Sequence, residues 1–218
     1  MGDIRKLVLV GGAGTSSDVL ALIKSINSAS MRYEVVGLLD DGIAEGMLRF
    51  GVPVLGPIAN WKFLRDAWFV DCLGSPRSYR QRKELLERHS MLTAQFETLI
   101  HPSAMIADDV QIGLGSIIYP NVVLLSNVKI GQHVTILSGT VLNHDVNVGD
   151  WSILGSGVML SGAVNVGRAC YLGTSCSVRE GASIGDGSLV GMGAAVTVNI
   201  EADVVVAGVP AKILRSFD

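Results

Sequence analysis

Beginning at Ile106, every sixth residue is a large aliphatic: Ile106, Ile112, Ile118, Leu124, Ile130, Ile136, Leu142, Val148, Leu154, Leu160, Val166, Leu172, Val178, Ile184, Val190 and Val196. The run has sixteen members and no insertion. Four residues after each stands a small or β-branched residue, from Val110, Ser116 and Val122 through to Ala194 and Ile200. A period of six with one large and one small inward position describes a short flat strand followed by a turn, and three such units close a triangular coil of 18 residues. Stacked coils bury the aliphatics in one column and pair each strand with its copies above and below. The composition suits such a core. Hydrophobic residues make up 49% but aromatics only 6%, and there are 26 Gly, so the interior is built from small aliphatic side chains on a tightly wound backbone.

Composition also excludes several functions. With 17 basic and 20 acidic residues the formal net charge is −3, which argues against nucleic acid as a partner. No run of about 18 apolar residues exists, and the apolar N-terminal stretch passes directly into a Gly-rich segment, unlike a signal peptide. No membrane partner and a cytoplasmic location are therefore expected. Cys72, Cys170 and Cys176 cannot all pair and none lies in a CxxC motif, so a reducing compartment and no metal site are expected. Cys170 and Cys176 fall on the small inward position and read as core thiols, as does Cys72 within the apolar run from Trp68 to Leu73.

Ahead of the repeat, Lys6 to Val10 is an apolar strand, followed by Gly11-Gly12-Ala13-Gly14-Thr15-Ser16-Ser17-Asp18 and a helical stripe of Val19, Leu20, Leu22, Ile23 and Ile26. Strand, Gly-rich turn and helix form the first half of a nucleotide-binding unit, in which backbone approaches the ligand and the helix N-terminus offers N–H donors to phosphate. The same residues also suit a purely structural turn, because Ser17 stands where the third Gly of G-x-G-x-x-G would fall. A second strand from Tyr33 to Leu39 ends at Asp40 and Asp41, carboxylates able to accept hydroxyl protons from ribose or sugar. Trp68 to Leu73 reads as a third buried strand closed by Gly74-Ser75-Pro76, Arg77 to Arg88 as a charged helix, and Phe96 to Ile100 as a last strand before His101. This order implies an α/β, Rossmann-like unit with a small parallel sheet over residues 1–101, followed by an all-β helix with a C-terminal tail over residues 102–218.

The hexads and the tail Gly208-Val209-Pro210-Ala211-Lys212 resemble the hexapeptide-repeat left-handed parallel β-helix of bacterial acyltransferases. The left hand is implied by that resemblance and not by the spacing. A Rossmann-like unit directly before such a helix is similar to one subfamily in particular. It contains the sialic acid O-acetyltransferases and the N-acetyltransferases of nucleotide-linked 4-amino sugars, of bacillosamine- and perosamine-pathway type. The resemblance covers essentially the whole chain. It implies acetyl-CoA as co-substrate, a homotrimer with CoA in the groove between two helices, and a nucleotide-sugar held at Ala13, Gly14 and Thr15, at Asp40 and Asp41, and at Ser75. Acetyl-CoA contacts are implied at Ile153, Gly173, Thr174, Gly191, Met192 and Lys212. Thr15 and Ile153 both stand where the family carries His.

Four histidines are candidates for proton transfer. His89 in a charged helix reads as a solvated surface residue, His101 before Pro102 as structural, and His133 as an exposed turn residue. His144 sits at a coil corner in Leu142-Asn143-His144-Asp145, pointing away from the core. From the residues alone this is equally a plain polar corner. The resemblance makes His144 the catalytic base, with Asp145 raising its basicity. An imidazole suits the task, because acyl transfer from a thioester needs an amine or hydroxyl that is losing a proton near neutral pH. One coil on, Gly162 stacks upon His144 at the ~4.8 Å spacing of neighbouring strands, which makes its N–H the candidate oxyanion donor. The expected reaction is direct transfer of acetyl from acetyl-CoA to the amino group of a nucleotide-linked sugar. The alternative is O-acetylation of a sialic-acid-type sugar.

Overall fold

The structure, a computed structural model, describes residues 4–217. Every aliphatic of the series from Ile106 to Val196 closes a two-residue strand, the first being Met105–Ile106 and the last Ala195–Val196. Pairing is parallel, with each strand 18 residues from its neighbour: Val123 lies beside Met105 and Val141, and Thr135 beside Ile117 and Ile153. The coils build a parallel β-solenoid with three faces, in sheets of six, five and eight strands. The first face runs through Met105–Ile106, Val123–Leu124 and Val141–Leu142, the second through Gln111–Ile112, Lys129–Ile130 and Asn147–Val148, and the third through Leu99–Ile100, Ile117–Ile118, Thr135–Ile136 and Ile153–Leu154.

Leu124, Ile136, Leu142, Leu154 and Leu172 form a fully buried column, with Cys170 and Cys176 among them. Polar residues at the small inward position are tolerated because their hydroxyls find backbone acceptors. Those of Ser116, Thr140 and Ser152 donate to the carbonyls of Gly131, Gly155 and Gly167 at 2.8–2.9 Å. The corners reverse the chain through residues of positive φ, among them Asn127, His133, Asp145, Trp151 and Ala163. Left-handed backbone at these positions is therefore a demand of the solenoid and no mark of function.

The N-terminal part comprises β1 (Arg5–Val10), α1 (Gly14–Ala29), β2 (Tyr33–Leu39), the hairpin of β3 (Leu48–Arg49) and β4 (Val52–Pro53), and β5 (Trp68–Asp71). Strands β2, β1 and β5 form a parallel sheet in that order. Helix α1 buries Val19, Leu22, Ile23 and Ile26, as its stripe requires. Two elements differ from expectation. The charged helix, α2, covers only Arg82–Arg88, because the Ser75 carbonyl accepts the N–H groups of Ser78 and Tyr79 and holds the preceding residues in a turn. Only Leu99–Ile100 of the last expected strand is extended in a sheet, and it pairs with Ile117–Ile118 on the third solenoid face. The chain thus passes from one part to the other as a shared strand edge.

The third face is covered by the N-terminal part, and a buried ion pair marks the contact. Asp71, at the end of β5, is paired with Arg82 of α2 at 2.9 Å, and both side chains are essentially inaccessible. Arg82 also donates to the Trp151 carbonyl at 3.1 Å, and His133 Nδ1 donates to the same Asp71 oxygen at 3.1 Å. The His133 ring stacks on Trp151 with centroids 4.0 Å apart. His133 is therefore buried, not the exposed turn residue expected, because its corner is one that the N-terminal part covers. His89 departs too: its Nε2 lies 3.0 Å from Asp41 Oδ2 and its side chain is mostly covered. His101 is bonded to Ser25 and Ser103 at 2.8 Å each, a structural role as read.

Candidate active site

His144 follows the strand Val141–Leu142 and stands at the corner between the first and second faces, 60% exposed. Its Nδ1 lies 2.9 Å from Asp145 Oδ2. Asp145 occupies the left-handed corner position at φ 63°, which an Asp adopts readily and which turns its carboxylate back toward the preceding ring. Asn127, one coil earlier, donates to the other carboxylate oxygen at 2.6 Å. These bonds, chiefly that from His144 and next that from Asn127, hold the Asp145 carboxyl below the usual carboxylate range. An ionised carboxylate can only accept, so Nδ1 of His144 carries the proton and Nε2 of the neutral ring presents a lone pair.

Gly162 lies directly against this ring. A Cβ built on it would sit 2.5 Å from His144 Cε1 and 2.6 Å from Nε2. The absence of a side chain at 162 is what gives the imidazole its place. Sequence spacing pointed to the Gly162 N–H, but it carried no sign of this steric role. That N–H has no hydrogen-bond partner among the described residues, while the Gly162 carbonyl accepts from Gly181 at 2.9 Å.

The loops after β1, β2 and β5 meet at the C-terminal edge of the sheet, where open parallel sheets carry ligands. Gly12 N–H donates to Asp40 Oδ2 at 2.6 Å and Gly42 N–H to Oδ1 at 2.8 Å, so Asp40 fastens the Gly-rich loop to β2. Asp41 accepts the Ile58 N–H at 2.8 Å as well as bonding His89. Ala13 and Gly14 are exposed and Thr15 is half-buried at the start of α1, whose N-terminus lacks a side-chain cap. Ser75 is exposed, with its hydroxyl 2.9 Å from that of Ser78. Arg49, not singled out from the sequence, donates to the Gly12 carbonyl at 3.1 Å and brings a cation to this loop. Its hairpin carries no motif, so only the fold reveals it.

The acyl-donor candidates lie elsewhere. Gly155, Gly173 and Gly191 stack at the corner between the third and first faces, each leaving room for the backbone of the next coil, and Thr174 and Met192 are exposed beside them. Ile153 is buried beneath the loop after β5, its Cδ1 2.8 Å from a Cβ built on Gly74. Lys212 is exposed at the start of the final strand. Within one chain these groups are not brought to His144. The N-terminal part packs on the third face, and the His144 corner is the one that face does not touch. None of the described cysteines offers a nucleophile: all three are buried, and burial pushes each thiol up to about 12.

The fold and the repeat resemble those of hexapeptide-repeat acyltransferases. The bacterial transferase hexapeptide (six repeats) family matches residues 127–162. Over nearly its whole length the chain is similar to several solved structures. PerB from Caulobacter crescentus, in complex with CoA and GDP-perosamine, is 29% identical with a TM-score of 0.85, the match covering 98% of this chain and 99% of that one. The acetyltransferase domain of PglB from Neisseria gonorrhoeae FA1090, in complex with acetyl coenzyme A, is 26% identical with a TM-score of 0.84, covering 97% of this chain and 100% of that one. WeeI from Acinetobacter baumannii AYE is 26% identical with a TM-score of 0.80, covering 96% of this chain and 100% of that one. Perosamine N-acetyltransferase from Caulobacter crescentus has also been solved with one histidine changed to Asn and to Ala. A search among curated proteins finds no match. No described helix is long and apolar enough to cross a membrane.

Proposed function

We propose that the protein transfers acetyl from acetyl-CoA to the amino group of a nucleotide-linked amino sugar, with His144 as general base. The observation that carries this reading is the near-complete match to an enzyme bound to CoA and GDP-perosamine, in a chain whose one histidine outside the N-terminal contacts is oriented by a carboxylate. The Rossmann-like first hundred residues hold the nucleotide end of the acceptor at Ala13 to Thr15, Asp40, Asp41 and Ser75. Nε2 of His144 takes the proton as the amine attacks the thioester carbonyl, and ionised Asp145 stabilises the imidazolium that forms. The Gly162 N–H is free to receive the developing oxyanion.

The reaction is assigned to a homotrimer, since His144 and the acceptor loops stand on different sides of one chain. The outward rows of the three faces support this. The second face presents Gln111, Lys129, Asn147 and Asn165 to water, and the third is roofed by the N-terminal part. The first presents Met105, Val123, Val141 and Met159, an apolar row with Met105 and Met159 about half exposed. That row is the contact with the next copy, which brings His144 of one protomer to the acceptor and the acyl-donor corner (Thr174, Met192) of another. Leu137, at the corner after the third face, packs against its own N-terminal part. Release of CoA from acetyl-CoA, measured across nucleotide amino sugars and sialic acids, tests the reading. Turnover confined to sialic acids, or none at all, refutes it.

A further inference from the structure

Asp145 is held from the coil before its own. Asn127 and Asp145 are 18 residues apart, at the same corner position of successive coils, and both take left-handed backbone, with φ 57° and 63°. The Asn127 amide Nδ2 donates to Asp145 Oδ1 at 2.6 Å, while Oδ2 of the same carboxylate lies 2.9 Å from His144 Nδ1. The corner itself does not call for an amide. Ala163 and Gly181 hold the same position in the next two coils, with φ 55° and 69°. The backbone of the pair is fixed without it too: the Asp145 N–H donates to the Ser126 carbonyl at 3.0 Å, and the His144 carbonyl accepts from the Ala163 N–H at 2.9 Å. What the backbone leaves open is the direction of the carboxylate. The side chains of His144 and Asp145 are 60% and 50% exposed, and a pair so open to water is held only weakly by its own attraction. Besides His144, the charged group acting on Asp145 is Lys129, exposed on the second face, and it forms no ion pair with the carboxylate.

We propose that Asn127 is a positioning residue for the base: by clasping one oxygen of Asp145 it keeps the other on His144 Nδ1. The inference rests on the acetyltransferase reading above and adds a third member to the His144–Asp145 pair. Which ring nitrogen of a histidine carries the proton is set by the bond the ring makes. With the carboxylate clasped, Nδ1 keeps its proton and Nε2 presents its lone pair to the acceptor. With the amide gone, the carboxylate is free to turn to water, and the ring then spends part of its time in the wrong tautomer or direction.

Two variants test this while keeping the corner, since Gly and Asp both adopt left-handed backbone. Asn127→Gly removes the amide. It should lower kcat for CoA release by about 3- to 10-fold, the worth of one hydrogen bond, with KM for acetyl-CoA and for the amino sugar, and the melting temperature, close to wild type. The loss should vanish when the same change is made in Asp145→Asn, because the amide reaches the ring only through that carboxylate. Asn127→Asp sets a second carboxylate against the first. The added negative charge favours the imidazolium, so the acidic limb of the kcat–pH profile should move up by about 0.5–1 pH unit. Wild-type kcat in Asn127→Gly overturns the proposal. So does an equal loss with and without the Asp145 carboxylate, or an unmoved limb in Asn127→Asp. In each of these cases turnover by the wild type, lost in His144→Ala, leaves the acetyltransferase reading standing. Absence of turnover with every nucleotide amino sugar removes that reading and this inference with it.

Discussion

Gly162→Ala isolates one geometric feature of the site. The added Cβ would stand 2.5 Å from His144 Cε1 and 2.6 Å from Nε2, where nonbonded carbons settle at about 3.5–4.0 Å. The imidazole must therefore retreat by about 1 Å, which also stretches its 2.9 Å hydrogen bond to Asp145. A misplacement of that size costs about 10² in rate, or roughly 2.7 kcal/mol of barrier. Folding should be nearly untouched, since Gly162 does not have a left-handed φ and the exposed ring has water to move into. The variant keeps the backbone N–H, so a loss of rate reports on the space for the ring and not on an oxyanion donor. The assay is kcat for CoA release at saturating acetyl-CoA and amino sugar, with a melting curve as control. A variant that melts like the wild type and keeps kcat within threefold refutes the placement of His144 by Gly162, and with it the case for this imidazole as the base.

His144→Ala should lower kcat by about 10²–10⁴ with an unchanged melting temperature, and Asp145→Asn by less, because it orients the ring without touching the acceptor. Equal losses in steady-state kinetics would show that the roles are divided wrongly. Val141→Glu places a charge in the apolar row of the first face and should yield folded but dissociated protein with little activity, read by light scattering and circular dichroism. An intact, active oligomer would place the interface elsewhere. Burial alone raises the Asp71 carboxyl, but Arg82 and His133 outweigh it and leave it below the usual carboxylate range. A depressed folded value means the stabilisation is full above the unfolded carboxylate range and is lost as the pH falls through the folded one. Denaturant titrations from pH 7 to pH 2 should therefore show the Asp71 contribution intact down to about pH 4 and failing below it. Asp71→Asn should cost about 3–5 kcal/mol at pH 7, since Arg82 is left buried without its partner, and a loss under 1 kcal/mol would contradict that pairing.

What could be read from the sequence follows from how often each physical constraint is repeated. The large inward position recurs at every hexad, and each instance returns as a strand end in the fold. The His144 corner could be singled out because the solenoid fixes which residues of a hexad face outward. His133 could not be placed by the same rule. It stands at a corner too, in the left-handed position that Asp145 holds in its own hexad, but whether a corner is wet or covered depends on what packs there, and its partner Asp71 is 62 residues away in another element. Likewise no local pattern marks Arg82, which lies in a segment of charged residues that all suit a solvated helix.

The residue before each aliphatic faces outward, and sorting these residues by the 18-residue coil separates three rows: Met105, Val123, Val141, Met159, Ser177 and Ala195; Gln111, Lys129, Asn147, Asn165 and Ser183; Ile117, Thr135, Ile153, Tyr171 and Leu189. The second row is polar throughout and belongs in water. Of the two rich in apolar groups, the third is satisfied by the chain's own N-terminal part, through Ile117, Ile153 and the neighbouring Tyr119 and Leu137. The first has no such cover among the described residues. Met105 and Met159 stand about half exposed there with Val123 and Val141 partly exposed between them, at a cost in a lone protomer of about 25 cal/mol for each Å² of apolar surface left in water. This row flanks the corner bearing His144, so in the proposed homotrimer its burial would also set the proposed base of one protomer against the acceptor of the next.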